Sequence, residues 1–233
     1  MRSQILKFKL VDRGFKDFLV LVPGWATDYK IFSTLDLDFN YILPLNLGPF
    51  NFNSGLIRFL KKESINKISI FGWSMGGFLA QEFAINNPDT VDELVLVSVR
   101  REYGLNTLKE TRAQILKNKK AFLYKFYLNF FSDKDKYGLS WFKKNLLMDY
   151  CRRMGLTELI GGLDYLAQAG IRIDSLAQFK KFRIFHGEKD AISPFEEARE
   201  IKNNLPLAKL INMPEAGHAP FLVKDFRDKY YYG

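Results

Sequence analysis

The five residues Gly72–Gly76, with the sequence Gly-Trp-Ser-Met-Gly, constrain the fold of this chain more than any other stretch. They follow a short apolar run, Lys67–Phe71, and precede Gly77–Ile85, where apolar residues recur at helical spacing. A Gly-x-Ser-x-Gly motif between a strand and a helix is typical of a sharp turn that lifts the serine hydroxyl above a sheet edge. The alternative is an ordinary glycine-rich turn, because the motif also occurs by chance.

A serine hydroxyl becomes a nucleophile only when a base removes its proton and an acidic residue orients that base. The chain has two histidines, His186 and His218. His218 lies in the segment Pro214–Phe221, here called the histidine loop, which follows an apolar run predicted as a strand. We therefore expect His218 to be the base for Ser74. His186 ends another apolar run beside Gly187, and we expect it to pack or to support the site indirectly.

The acidic residue should fall between the serine and the histidine, as it does in hydrolases whose nucleophile lies on such a turn. Asp190 meets this requirement, because it follows the predicted strand Phe182–His186 and would lie beyond the strand's carboxyl end. Three other carboxylates also fall in the interval: Glu188, Asp164 and Asp174. Asp190 is our candidate, and these three stay open as alternatives.

Such a site also needs backbone N–H groups that stabilise a developing oxyanion. The residue after the serine, Met75, would supply one of them. The second would come from Trp25, in the segment Pro23–Asp28 after the apolar strand Phe18–Val22. We call Pro23–Asp28 the Trp25 loop. Its alternative interpretation is a surface turn against which Trp25 only packs.

Six apolar runs alternate with helical patterns along the chain, which predicts an α/β fold with a mostly parallel, doubly wound sheet. The predicted strands are Phe18–Val22, Tyr41–Asn46, Ile68–Phe71, Leu94–Ser98, Arg183–His186 and Lys209–Asn212. The predicted helices among them are Asn53–Lys62, Gly77–Asn86 and Pro194–Asn203. Residues 99–176 form an interval too long for a simple crossover, and we expect a helical cap there. We call residues 99–176 the inserted segment; residues 1–98 and 177–233 would form the core.

These motifs, in this order, resemble the α/β-hydrolase superfamily over essentially the whole chain. The Gly-Trp pair at Gly24 and the Gly-Trp-Ser-Met-Gly-Gly sequence at Gly72–Gly77 resemble the pimeloyl-acyl-carrier-protein methyl ester esterases of biotin synthesis. One departure is visible, since that family usually has His-Gly-Trp-Gly where this chain has Pro23–Ala26. The backbone donor survives this change. The resemblance implies a Ser74, Asp190 and His218 triad and no cofactor.

The inserted segment carries most of the charge of the chain. It has 15 Lys and Arg residues against 8 Asp and Glu residues, which is +7 of the total formal charge of +9. Such a basic surface can be a solvated face, a dock for an acidic macromolecule, or a contact with nucleic acid or anionic membrane. The resemblance favours an acidic acyl carrier protein. Its contacts would come from Arg100, Arg101, Lys117, Lys119, Lys120, Lys143, Lys144, Arg152 and Arg153.

Composition predicts one compact domain, since 233 residues with 47% hydrophobic side chains can bury a substantial core. The first ten residues alternate like a strand and lack a signal-peptide core. We therefore expect a cytoplasmic protein. We also expect it to bind neither membrane nor nucleic acid and to act as a monomer. Cys151 is the single cysteine and is expected to be inert, and no spacing suggests a metal site.

The expected activity is hydrolysis of the methyl ester of an acyl chain carried on acyl carrier protein. The acyl chain would contact Trp25, Trp73, Phe78 and Phe126, because these aromatic side chains suit an apolar substrate. A general short-acyl carboxylesterase would use the same triad. The lyase of menaquinone synthesis shares the fold, but that family usually has an arginine where this chain has Phe78. A binding protein without catalytic activity is a further alternative.

Overall fold

The computed structural model describes residues 6–233. Its centre is a seven-stranded sheet with the strand order β1-β3-β2-β4-β5-β6-β7. β1 runs antiparallel to β3, and the other neighbouring strands are parallel. The carboxyl ends of the parallel strands therefore meet at one edge, where sites of α/β sheets are built. The predicted α/β fold is confirmed.

All six predicted strands are present. The sheet consists of β1 (Phe8–Val11), β2 (Phe18–Val22), β3 (Asn40–Pro44), β4 (Ile68–Trp73), β5 (Val91–Val97), β6 (Phe182–Gly187) and β7 (Lys209–Met213). β1 lies in the segment whose alternation predicted a strand, although residues 1–5 of that segment are outside the described residues. β5 begins earlier than predicted and ends before Ser98, because Ser98 has a positive φ of 50° that extended backbone does not allow.

The helices of the core are α1 (Phe52–Lys62), α2 (Met75–Asn86), α8 (Phe195–Asn203) and α9 (Phe226–Tyr232). Three of them, α1, α2 and α8, follow the prediction to within two residues, and α9 was not predicted. α2 packs against β4 and β5, and α8 packs against β6 and β7. α2 starts two residues earlier than the apolar pattern indicated, directly after Ser74.

The inserted segment is helical and contributes no strand to the sheet. Its helices are α3 (Leu105–Leu128), α4 (Lys136–Phe142), α5 (Met148–Arg153), α6 (Leu156–Leu166) and α7 (Ile173–Leu176), with a π-helical turn at Lys143–Leu147. α3 is kinked at Asn118, where φ is −158° and ψ is 87°. The Asn118 side chain accepts the Ala121 N–H at 3.0 Å, so it caps the second half of the helix.

The turn between β4 and α2 depends on two glycines. A Cβ at Gly72 would lie 2.6 Å from the Ala80 Cβ, and a Cβ at Gly76 would overlap the Val22 carbonyl. Since neither neighbour is a flexible side-chain end, only glycine allows strand and helix to approach this closely. Ser74 lies between them with φ 54° and ψ −121°.

We predict that Gly76→Ala lowers the free energy of unfolding by about 3 kcal/mol or prevents folding, because the methyl group meets the β2 backbone. Gly161→Ala is the matched control, since Gly161 also lies in a helix but a Cβ there has no neighbour within 4 Å. Helix propensity should stabilise the control by up to about 1 kcal/mol. Urea unfolding measures both, and equal changes would contradict the packing argument.

Candidate active site

Ser74 occupies the sharp turn that the sequence predicted. Its positive φ is a conformation that non-glycine residues rarely adopt, and such strain is concentrated at functional sites. The Ser74 N–H donates to the Val97 carbonyl at 2.9 Å, and the Ser74 carbonyl accepts from Gly77 at 2.8 Å. The residue after Ser74 begins α2, so the N-terminal turn of this helix directly follows the serine.

His218 and Asp190 form a buried pair at the same sheet edge. The His218 Nδ1 atom lies 2.7 Å from Asp190 Oδ2, and both side chains are almost fully buried. The His218 backbone is tied to the serine turn, since the Trp73 indole N–H donates to the His218 carbonyl at 2.6 Å. The pairing gives the imidazole a fixed orientation, with Nδ1–H toward the carboxylate.

The carboxylate of Asp190 is held by its own turn. Its Oδ1 accepts the backbone N–H groups of Ile192 and Ser193, each at 2.8 Å. Burial alone would raise the pKa of Asp190, but the neighbouring histidines and these N–H donors hold it below the usual value. Asp190 therefore stays ionised beside His218.

The three alternative carboxylates lie elsewhere. Asp164 is exposed and pairs with Arg112, and Asp174 is exposed on α7. Glu188 accepts from the Asn212 side chain instead of a histidine. Among the four candidates, Asp190 is the one that contacts His218.

His186 is fully buried behind the pair. Its Nε2 atom lies 2.7 Å from the Ser193 carbonyl and 3.4 Å from Asp190 Oδ2. The ring packs near Phe195. The sequence suggested an indirect supporting position for this residue, and the structure places it against the carboxylate.

The Trp25 loop lies against the serine turn and is hydrogen-bonded to the inserted segment. A Cβ at Gly24 would lie 3.2 Å from the Ser74 Cβ, which shows how closely the loop approaches. The Trp25 indole N–H donates to the Leu159 carbonyl at 2.9 Å, and the Tyr127 hydroxyl donates to the Ala26 carbonyl at 2.6 Å. Ala26 has a positive φ of 61°, so these contacts fix a strained turn.

The end of the same loop is fixed by Asp28. This carboxylate accepts the Tyr150 hydroxyl at 2.7 Å and pairs with Arg153 at 2.9 Å. Burial is the main cause that raises the pKa of Tyr150, which keeps the hydroxyl a donor. Residues of the inserted segment therefore hold the Trp25 loop at Trp25, Ala26 and Asp28.

The histidine loop is also held by the inserted segment. Asp135 is buried, and its Oδ2 accepts the Gly217 N–H at 2.7 Å and the Ser132 N–H at 3.0 Å. The Ala219 N–H donates to the Phe130 carbonyl at 3.3 Å. Asp135 and Tyr127 are not among the predicted site residues, because no local pattern indicates which residues of a long insertion reach back to the sheet edge.

Three of the four aromatic residues predicted to contact substrate lie at two places. Trp25 and Phe126 pack edge to face with their ring centroids 4.9 Å apart at the interface of core and inserted segment. Phe78 packs against Tyr103, which also lies beside the Ser74 and Ser193 side chains.

Trp73 is the fourth aromatic residue predicted to contact substrate. Its side chain is fully buried and packs against Phe130 and Phe221. Its indole N–H is already bonded to the His218 carbonyl. Trp73 therefore supports the histidine loop.

Five of the nine predicted docking residues make contacts within the chain. Arg100 and Arg101 pair with Glu197 and Glu200, Arg153 pairs with Asp28, and Lys119 and Arg152 donate to backbone carbonyls. The other four are exposed and form no ion pair within residues 6–233: Lys117, Lys120, Lys143 and Lys144. Fewer positive side chains are therefore free to contact a partner than the nine that the sequence suggested.

Within residues 6–233, no group of three or more His, Cys, Asp or Glu side chains could hold a metal ion. No helix in that range combines the length and apolar character needed to cross a membrane.

The family model for the alpha/beta hydrolase fold matches residues 56–225, so the chain belongs to the α/β-hydrolase family. It is similar to a pimeloyl-[acyl-carrier protein] methyl ester esterase from Nitrosomonas europaea, with 29% identity over 67% of the chain. The aligned chain spans slightly less than two thirds of that relative, 66% of its length. A pimeloyl-[acyl-carrier protein] methyl ester esterase from Aromatoleum aromaticum is 30% identical over 88% of the chain and 92% of that protein.

Solved structures share the fold. A bromoperoxidase from Bacillus anthracis superposes with a TM-score of 0.83 at 17% identity, over 97% of this chain and 94% of that one. At this identity the likeness shows the fold alone. The serine turn and the His218–Asp190 pair therefore have to be interpreted from their own geometry.

We predict that the pH dependence of stability reports the buried state of His186. Burial lowers its pKa below 6.5, although Asp190 and the Ser193 carbonyl act in the opposite direction. Below pH 6.5 the unfolded chain therefore binds a proton that the folded chain does not, so this contribution to stability is lost as pH falls. The slope is at most about 1.4 kcal/mol per pH unit for one group.

Urea unfolding at pH 7.5, 6.5 and 5.5 tests this expectation. The loss of stability between pH 6.5 and 5.5 should be smaller in His186→Gln than in the unsubstituted chain, because glutamine does not titrate. Equal losses in the two proteins would contradict the assignment of this proton to His186.

Proposed function

We propose that this protein is a serine carboxylesterase that hydrolyses the methyl ester of an acyl chain attached to acyl carrier protein. The observation that carries the proposal is the buried His218–Asp190 pair, tied through Trp73 to the strained turn of Ser74. The names of the curated relatives support this substrate. The same site without a carrier would serve a general short-acyl carboxylesterase.

In the proposed reaction, His218 removes the proton from the Ser74 hydroxyl as the oxygen attacks the ester carbonyl carbon. Collapse of the tetrahedral intermediate breaks the bond to the methoxy oxygen, which takes the proton from His218 and leaves as methanol. Water then attacks the acyl-enzyme and gives its proton to His218. The acyl carboxylic acid leaves, and the Ser74 oxygen regains the proton. Asp190 stays ionised and stabilises the imidazolium in both steps.

The N–H groups of Trp25 and Met75 are the proposed oxyanion donors. Met75 begins α2, so its N–H points out of the first helical turn. Trp25 follows Gly24, which packs on Ser74. Loss of one such donor typically lowers the rate by about a hundred- to a thousandfold, so the shape of the Trp25 loop is expected to control the rate.

The inserted segment is proposed to act as the cap over the acyl chain. Trp25, Phe122 and Phe126 form a continuous aromatic surface at its boundary with the core. Phe78 extends the apolar character along α2. These side chains suit a hydrocarbon chain, whereas the carboxylate-rich substrate of the menaquinone lyase would require a cation where Phe78 stands.

The four exposed lysines support docking of an acidic carrier: Lys117, Lys120, Lys143 and Lys144. Surface charges of this kind contribute mainly to the rate of encounter and to its salt dependence. The chain acts without a cofactor in this proposal, since every proton transfer is assigned to His218.

The decisive experiment compares methyl pimeloyl-acyl-carrier protein with methyl pimeloyl-pantetheine as substrates and uses Ser74→Ala as the blank. We expect the carrier-bound ester to react at least about tenfold faster at low salt, with the advantage reduced by salt. Lys143→Glu/Lys144→Glu should reduce the advantage. Lys16→Glu/Lys61→Glu is the matched control, because it changes the net charge equally and lies outside the inserted segment.

The outcomes separate the alternatives. Equal turnover of both esters would favour a general carboxylesterase. A chain that is labelled at Ser74 by a fluorophosphonate but hydrolyses neither ester would act on another ester. Without labelling, a triad hydrolase mechanism at Ser74 would be excluded.

Tyr127→Phe tests the role of the inserted segment in shaping the oxyanion site. The change removes the hydroxyl that donates to the Ala26 carbonyl and leaves that carbonyl buried without a partner. We expect kcat to fall by about tenfold, because the Trp25 loop relaxes. Tyr124→Phe, on the exposed side of the same helix, is the control and should stay within about twofold. Equal kcat values for the two variants would contradict the coupling.

A further inference from the structure

The mechanism above does not use His186, although this histidine touches the proposed acid. Its side chain has no exposed surface. Its Nε2 atom has two neighbours, the Ser193 carbonyl oxygen at 2.7 Å and Asp190 Oδ2 at 3.4 Å. A buried, titratable ring in this position either only fills space in the core or helps to hold the Asp190 carboxylate.

The neighbours determine the protonation of the ring. Both are acceptors, so Nε2 carries a hydrogen. Nδ1 is buried and has no hydrogen-bond partner within the described residues, so a proton there would create a buried, unpaired N–H and a net charge. His186 is therefore neutral, with its hydrogen on Nε2. The charged or titratable groups that face it are Asp190, His218 and Glu196.

The hydrogen on His186 Nε2 bonds to the same turn that holds the Asp190 carboxylate. The backbone N–H groups of Ile192 and Ser193 donate to Asp190 Oδ1, while the Ser193 carbonyl accepts from His186. Hydrogen bonds therefore fix both the backbone N–H groups of this turn and one of its carbonyl groups. In addition, the His186 Nε2 atom lies 3.4 Å from Oδ2, the oxygen that accepts the His218 Nδ1–H.

We propose that His186 is a positioning residue that fixes the Asp190 carboxylate and limits how strongly Oδ2 attracts the His218 proton. The effect on turnover rests on the function proposed above; the effect on His218 does not. A second donor beside Oδ2 spreads the negative charge of the carboxylate. Removal of that donor should strengthen the hold of Asp190 on protonated His218, so that the base is released only at higher pH.

The chain offers a clean test, because it contains two histidines in all. Histidine labelled with nitrogen-15 gives two ring systems by NMR, and each substitution of His186 leaves one. In the unsubstituted protein we expect the Nε2–H form of His186 to persist between pH 5.5 and 8.5. His186→Leu removes the donor, and His186→Gln keeps an N–H that can reach the same acceptors.

We expect the midpoint of the His218 titration to move upward by about 0.5 to 1 pH unit in His186→Leu. The acid limb of the kcat/KM profile should move with it, and kcat should fall about tenfold at similar KM. His186→Gln should keep the original midpoint and most of the rate. A packing role alone would lower thermal stability in both variants without this difference between them.

The proposal is overturned if His186 titrates within that range or carries its hydrogen on Nδ1, which the unsubstituted protein alone decides. It is also overturned if the Leu and Gln variants give the same His218 midpoint. These readouts need no substrate. Absence of fluorophosphonate labelling at Ser74 would therefore count against the proposed function while leaving the NMR result to decide the place of His186.

Discussion

The site depends first on the close contact between β4 and α2 around Ser74. A serine with φ 54° is strained, and this conformation persists only because the surrounding backbone leaves no alternative. The absence of a Cβ at Gly72 and Gly76 allows the contact, since a methyl group at Gly76 would overlap the Val22 carbonyl of β2. The same contact aligns the N-terminus of α2 with the hydroxyl. Strain at one residue is thus balanced by the packing of three core elements.

The inserted segment is part of the site's architecture as well as its proposed cover. Tyr127 holds the Trp25 loop, and Asp135 holds the histidine loop. The proposed oxyanion donor and the proposed base are therefore both fixed by residues outside the sheet. A movement of the inserted segment would change both loops together, because their hydrogen-bond partners lie on neighbouring parts of one helical unit.

The sequence was sufficient for the sheet, the serine turn and the placement of Asp190 and His218, because each depends on a local pattern beside a strand end. It left the acid open, since distance along the chain cannot distinguish a carboxylate that faces the histidine from an exposed one such as Asp164. It also could not show that Trp73 bonds to the histidine loop. An aromatic side chain in an apolar context can face either side of a strand, and here it packs into the core. Contacts such as Asp135 with Gly217 arise only from tertiary structure.

The charge of the inserted segment has a different meaning once the pairs are known. Its arginines are largely occupied within the chain, as Arg153 is by Asp28, whereas exposed lysines such as Lys143 and Lys144 are not. Arginine binds carboxylates through a planar, bidentate fork that fixes orientation, whereas lysine is a hydrated point charge on a flexible stem. Lysines therefore attract an acidic partner without defining its orientation. In a carrier-bound reaction the orientation would come from the acyl chain itself, once it enters between the inserted segment and the serine turn.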